Sequence, residues 1–360
     1  MLALVTAISV IISICLVVAN ASSGTVYESE GNNTIDHADE TSDDKDNYGK
    51  ISSASDVDVW EITFSEEGMA NIWLGDIPTN CNYDIFVTYK ASNSSANTQP
   101  QMITYSERTS NKDELMKCHV YPGYTYYVFV YALNSSYDTT NQYKLRIKNY
   151  PLDGGSINAK LFYADYIGYS TEQGIYDAMS ELWSMGFSGG YYRNNTVGPA
   201  YSVLPDSTIF VTANKGYFGQ LYFHDSINAL SRTTLYANPP SPMLSTDRAI
   251  TSLPAKSLSN VNLAIFMNPY SGGTHSTYGN FVDEVLNKGA FVCLGWNCAI
   301  SAYDQNNWLP LFFSNCTQHK SLGQVIDDIE DDISSDSSYT SGISNPYYGT
   351  NSKLDSLSIS

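Results

Sequence analysis

Positive charge is scarce in this chain. Over 360 residues, 18 lysines and arginines stand against 37 aspartates and glutamates, a formal net charge of −19. No lysine/arginine cluster interrupts that balance. Such a surface repels phosphate backbones, which excludes nucleic acid as a partner. Charge of either sign is sparse, at 15% of residues, while 42% are hydrophobic and 29 are tyrosine. A chain of that composition folds, and its polar, weakly charged surfaces suit β-rich structure. The sequence also lacks H-E-x-x-H, paired C-x-x-C and Walker motifs, which removes the zinc and nucleotide chemistries that those spacings serve.

The N-terminus "MLALVTAISVIISICLVVANASS" is apolar but lacks a basic flank. Ala19-Asn20-Ala21 fits a signal-peptidase site, so residues 1–21 are expected to be a cleaved signal, or an anchor over residues 2–19. Both readings export the remainder. The chain has 6 cysteines. Cys15 lies in the export segment, and an exported chain can join Cys81 to Cys118 in a disulfide. Cys293, Cys298 and Cys316 then leave an odd thiol.

What is present divides in two. Residues 22–149 hold short alternating runs such as "VDVWEITF", "YDIFVTY" and "YTYYVFVYAL", separated by turn-formers, which predict an all-β sandwich. A Pro/Gly linker covers 150–156. Over 157–333 the pattern predicts strands alternating with helices and a mostly parallel sheet. In "STEQGIYDAMSELWSMGF", Ile175, Ala178, Met179 and Leu182 share a helical face, with a capping box expected at Ser170 and Gln173. The continuous apolar run "NVNLAIFMNP" predicts a strand buried on both faces. The Ser-rich segment 334–360 has no periodicity and is expected to be disordered. N-x-S/T triplets occur at Asn32, Asn93, Asn134, Asn194 and Asn315.

Through "YESEGNNT", "SDVDVWEITF", "NYDIFVTY" and "GYTYYVFVYA", the first half resembles the bacterial pre-peptidase C-terminal domain, a β-sandwich appended to secreted peptidases. The resemblance implies a calcium site at Glu28, Glu30, Asn32, Asn33, Asp56 and Asp58, with Asn33 standing where the family often has aspartate. Asp84 matches a family position that is more often structural. The chemistry is independently sound. Glutamates at i and i+2 of an extended segment point the same way, and asparagine adds neutral oxygens.

Through "ANKGYFGQLYF", "LAIFMNPYSGG", "GAFVCLGWNCAI" and "NNWLPLFF…SLGQVIDDI", residues 157–332 resemble the caspase-like cysteine peptidases, relatives of gingipains, whose α/β domain has three layers. There one strand ends in His-Gly and the next core strand ends in the nucleophilic cysteine. Here Lys215 takes the histidine position and Pro269 that of cysteine, beside Asn214, Gly216, Asn268 and Ser271 as the expected cleft. A protonated lysine is no general base and proline has no nucleophile. The resemblance therefore implies an exported pseudo-peptidase that binds a protein, peptide or surface ligand. The alternative is a cysteine endopeptidase with relocated residues, for which Cys298 with His224 or His275 are the fallback candidates.

Overall fold

Strand alternation builds the first layer pair. The computed structural model describes residues 24–91, 100–151, 157–166, 168–193, 196–224, 232–316, 320–334, 336–349 and 354–359. Ten strands fill the first part: β1 (Thr25–Tyr27), β2 (Asp39–Glu40), β3 (Lys45–Gly49), β4 (Val57–Thr63), β5 (Gly68–Gly75), β6 (Tyr83–Ala91), β7 (Gln101–Ser106), β8 (Glu114–Val120), β9 (Tyr124–Ala132) and β10 (Tyr143–Pro151). They form two five-stranded sheets, ordered β1-β3-β10-β5-β8 and β2-β4-β9-β6-β7. Within them, β1 with β3 and β2 with β4 are parallel, and the remaining pairs are antiparallel. Trp60, Ile62, Ile72, Leu74, Ile85 and Val128 meet between the sheets in one apolar cluster. Fully burying such a side chain contributes roughly 1.5–3 kcal/mol. The first part is thus a β-sandwich.

The period changes from two to 3.6 after residue 157, and the architecture changes with it. The second part contains β11 (Asn158–Tyr163), β12 (Asp165–Tyr166), β13 (Tyr169–Ser170), α1 (Glu172–Ser184), β14 (Ser188–Arg193), α2 (Val197–Val203), β15 (Ile209–Ala213), β16 (Gly216–Tyr217), β17 (Gln220–His224), β18 (Arg232–Tyr236), β19 (Arg248–Ala249), β20 (Leu263–Phe266), α3 (Phe281–Asn287), β21 (Val292–Leu294), α4 (Ala302–Cys316) and α5 (Leu322–Ile333). A central sheet runs β14-β11-β15-β20-β21, all parallel. A side sheet runs β16-β17-β18-β19. Apolar cores cover both faces of the central sheet, one built on α1, α4 and α5, the other on α2 and α3. That is why β20 is buried at every position.

Three expectations are corrected. Cys81 and Cys118 are both free buried thiols, not a disulfide. Each is a small apolar member of the sandwich core, the usual role of a buried thiol. The segment 334–360 is not disordered where it is described. Ile343, Leu357 and Ile359 are buried in the second domain's core. Leu357 forms a parallel bridge with Lys117 of β8, and the Leu322 N–H donates to the Leu357 carbonyl (2.9 Å). The chain end thus lies against both domains. Of the expected linker, residues 150–151 belong to β10. Residues 152–156, the export segment and the triplets at Asn93 and Asn194 lie outside the described residues. No helix among the described residues is long and apolar enough to cross a membrane.

Candidate functional site

The carboxyl ends of β15 and β20 meet where the pseudo-active site is expected. Asn268 ties them together and is fully buried. It accepts from the Thr212 hydroxyl (2.6 Å) and donates to the carbonyls of Asn214 (2.9 Å) and Lys215 (3.4 Å). Gln305 of α4 adds bonds to the Asn214 carbonyl (3.2 Å) and to the Met267 carbonyl. Gly216 backs onto this knot. A Cβ there would stand 2.9 Å from the Gln220 carbonyl oxygen and 3.1 Å from the Asn268 Cβ, so the close approach demands glycine. Ser271 is buried, donates to the Phe266 carbonyl (2.6 Å) and accepts from the Trp296 N–H (3.1 Å). Asn214, Asn268 and Ser271 therefore brace the strand ends and do not line an open cleft. Pro269 is half-buried beside them.

Lys215 is exposed. Its ammonium lies over two tyrosine rings, 5.0 Å from the centre of Tyr166 and 4.9 Å from that of Tyr169. The two rings stack at 5.4 Å, and the Tyr169 hydroxyl donates to Gln305 Oε1 (2.5 Å). Neither tyrosine was singled out by sequence reasoning. The available signal was "DYIGY", two tyrosines about a glycine that the structure holds at φ +77°.

Each fallback residue is held in surroundings of its own. Cys298 is half-buried, and burial, then Asp304, push its thiol up, away from the thiolate that catalysis needs. Cys293 and Cys316 are buried, and burial raises both thiols well above their ordinary value. His275 Nδ1 accepts from the N–H groups of Thr277 (3.1 Å) and Tyr278 (3.3 Å), which commits that nitrogen to a turn. His224 packs against Tyr166 with ring centres 5.0 Å apart. Gly186 to Gly190 fits G-x-S-x-G, but Ser188 opens β14 and donates to the Ile157 carbonyl (2.9 Å). A nucleophile elbow instead follows its strand.

The sandwich gathers the acidic residues. Glu28 lies beside Asp58 and feels the charges of Glu30 and Asp56. Burial first, then Glu28, raises the Asp58 carboxyl. Burial likewise raises Glu28. Asp58 accepts from the Tyr143 hydroxyl (2.6 Å), which in turn accepts from Trp60 Nε1 (3.0 Å). Glu28 Oε2 and Asn32 Oδ1 are buried with no hydrogen-bond partner among the described residues. Glu30 pairs with Lys50 (3.7 Å), and Asp56 accepts from the Ser52 N–H and hydroxyl. Asn33 spends its oxygen on the Val57 N–H (3.2 Å). Among the described residues no three His, Cys, Asp or Glu side chains form a preformed metal cluster. Glu28 and Asp58, with the orphaned oxygen of Asn32, still fit a hard cation by donor chemistry.

No family model and no curated protein matches this chain. Among solved structures, it is similar to the pre-peptidase C-terminal domain of a Bacillus anthracis collagenase, at 16% identity and a TM-score of 0.23, covering 31% of this chain and 94% of that one. A surface-associated copper-binding protein of Methylomicrobium album BG8 gives 11% identity and 0.19, covering 35% and 98%. The CBM22-1–GH10 modules of a Clostridium thermocellum xylanase give 10% and 0.19, covering 45% and 30%. At these scores the β-sandwich rests on its own strand order and pairing.

Proposed function

We propose that this chain is an exported, non-catalytic binding protein: a calcium-stabilised β-sandwich joined to a degenerate caspase-like domain. One observation carries the reading. The strand ends that would present base and nucleophile hold Lys215 and Pro269, and buried Asn268 cross-ties them. Losing either member of a nucleophile–base pair removes most of the chemical acceleration. The peptidase alternative rests on Cys298, whose environment raises its thiol. Thiol-directed activity probes and gel zymography on the chain from Ser22 onward are expected to be silent. A signal abolished by Cys298→Ser overturns the reading in favour of a relocated peptidase.

Calcium would be held by Glu28, Asp58 and Asn32, with Glu30 and Asp56 close by. It would relieve the repulsion between the buried carboxylates and pin the N-terminal segment to β4. A ligand at 100 times its dissociation constant stabilises by about 2.7 kcal/mol. Melting should therefore rise with millimolar calcium over chelator in the wild type and not in Asp58→Asn. Equal melting with calcium and with chelator removes the metal from the reading.

A further inference from the structure

The carboxyl ends of the parallel strands hold an ammonium with no ion pair and a hydroxyl with no hydrogen bond among the described residues. Lys215 is exposed and, among the described residues, enters no ion pair. Elsewhere in this acidic chain Lys50, Lys144, Arg146, Lys148, Arg193 and Lys320 all meet carboxylates. Tyr166 is only 9% exposed, and its hydroxyl is buried with no hydrogen-bond partner among the described residues. A hydroxyl taken from water and left unpaired is a cost that a ligand can relieve. The ammonium lies over the Tyr166 ring, 5.0 Å from its centre, which puts it and the ring's hydroxyl within the span of one carboxylate.

We propose that Lys215 and Tyr166 together bind a carboxylate of a peptide ligand, with the Lys215 ammonium and the Tyr166 hydroxyl donating to its oxygens beside the Tyr169 ring. The inference rests on the binding reading above and names the chemistry of its ligand. Burial pushes the Tyr166 phenol up to about 12, which keeps it a donor at neutral pH. A single ammonium matches a single negative charge. A doubly charged phosphate would meet one cation within a chain of net charge −19. Charge-assisted hydrogen bonds of this kind are short and about twice as strong as neutral ones.

Three unlabelled N-acetylated peptides test it by isothermal titration calorimetry: Ala-Ala-Tyr with a free carboxylate, the same peptide amidated, and amidated Ala-Asp-Tyr. A carboxylate-bearing peptide should bind the wild type about tenfold more tightly than the neutral one. Comparison of the two carboxylate peptides tells a chain end from an acidic side chain. Lys215→Met should abolish the preference. Tyr166→Phe should weaken it several-fold while leaving the melting temperature unchanged or higher, because the substitution deletes an unpaired hydroxyl. Equal binding of all three peptides overturns the carboxylate pocket and leaves the binding reading intact. Absence of binding by any peptide also overturns the pocket, and the binding reading then stands or falls on the activity probes.

Discussion

At the scale of single residues, Asp84 of β6 carries the sharpest electrostatic conflict outside the calcium candidates. It is fully buried, and neither carboxylate oxygen has a hydrogen-bond partner among the described residues. Burial, then the charges of Glu114 and Glu107, push its carboxyl up to about 7. The folded state therefore holds this proton more tightly than the unfolded chain, whose aspartates titrate near ~3.9. Between those values the folded state binds more protons, so stability falls as pH rises. The contribution is fullest below about pH 4 and is lost by about pH 7. Urea denaturation at pH 5 and pH 8 checks this. Asp84→Asn should be more stable than the wild type at pH 8, by about 1–3 kcal/mol, with a smaller gap at pH 5. A variant no more stable than the wild type at pH 8 shows that the site is relaxed by contacts of its own.

At the scale of elements, what the sequence disclosed followed from periodicity. Ile175, Ala178, Met179 and Leu182 are all fully buried on α1, as their spacing required. Leu263 to Phe266 are buried on both faces because helices cover both sides of the sheet. Signals that depend on contacts from elsewhere were not legible. The expected capping box at Ser170 and Gln173 does not form. Ser170 is drawn into the β12–β13 pair, its carbonyl accepts from Asn306 of α4 (2.9 Å), and Gln173 reaches Asp177 instead. A true capping box stands at Ser321 and Gln324 of α5, where no competing strand intervenes. The candidate site divides the same way. Spacing along extended chain relates Glu28 to Glu30 alone, and Asp56 and Asp58 enter only through the resemblance to the pre-peptidase C-terminal domain. The contact of Lys215 with Tyr166 and Tyr169 joins residues about 50 positions apart, which the β11–β15 pairing and bonds through Thr171 and Gln305 bring together.

At the scale of the whole molecule, the chain end shows the limit of reading local pattern. Ile343, Leu357 and Ile359 are isolated apolar residues in a Ser-rich stretch, so no period announced them. Their burial is decided by slots that other elements build. The final segment is bonded on both sides. The Thr104 hydroxyl donates to the Asp355 carbonyl, the Ser356 hydroxyl donates to the Tyr105 carbonyl (3.1 Å), and the Ser358 N–H donates to the Lys117 carbonyl (2.8 Å). On the other side, Ser321 of α5 donates to the Asp355 carboxylate (3.1 Å). Lys117 adds a direct tie to Asn262 (2.6 Å). An element shared in this way couples the unfolding of its two hosts, because releasing it exposes Leu357 to water whichever domain opens first. Leu357→Ala removes a fully buried side chain and should cost about 2–5 kcal/mol. Calorimetry should show one cooperative transition for the wild type. Removing residues 354–360 should lower the melting of both domains and separate their transitions. If truncation shifts the sandwich transition alone or the α/β transition alone, the segment belongs to that domain and the coupling is absent. If both move, the segment 354–360 is what makes the two folds a single cooperative body, and a ligand held at Lys215 would then raise the melting of the sandwich as well.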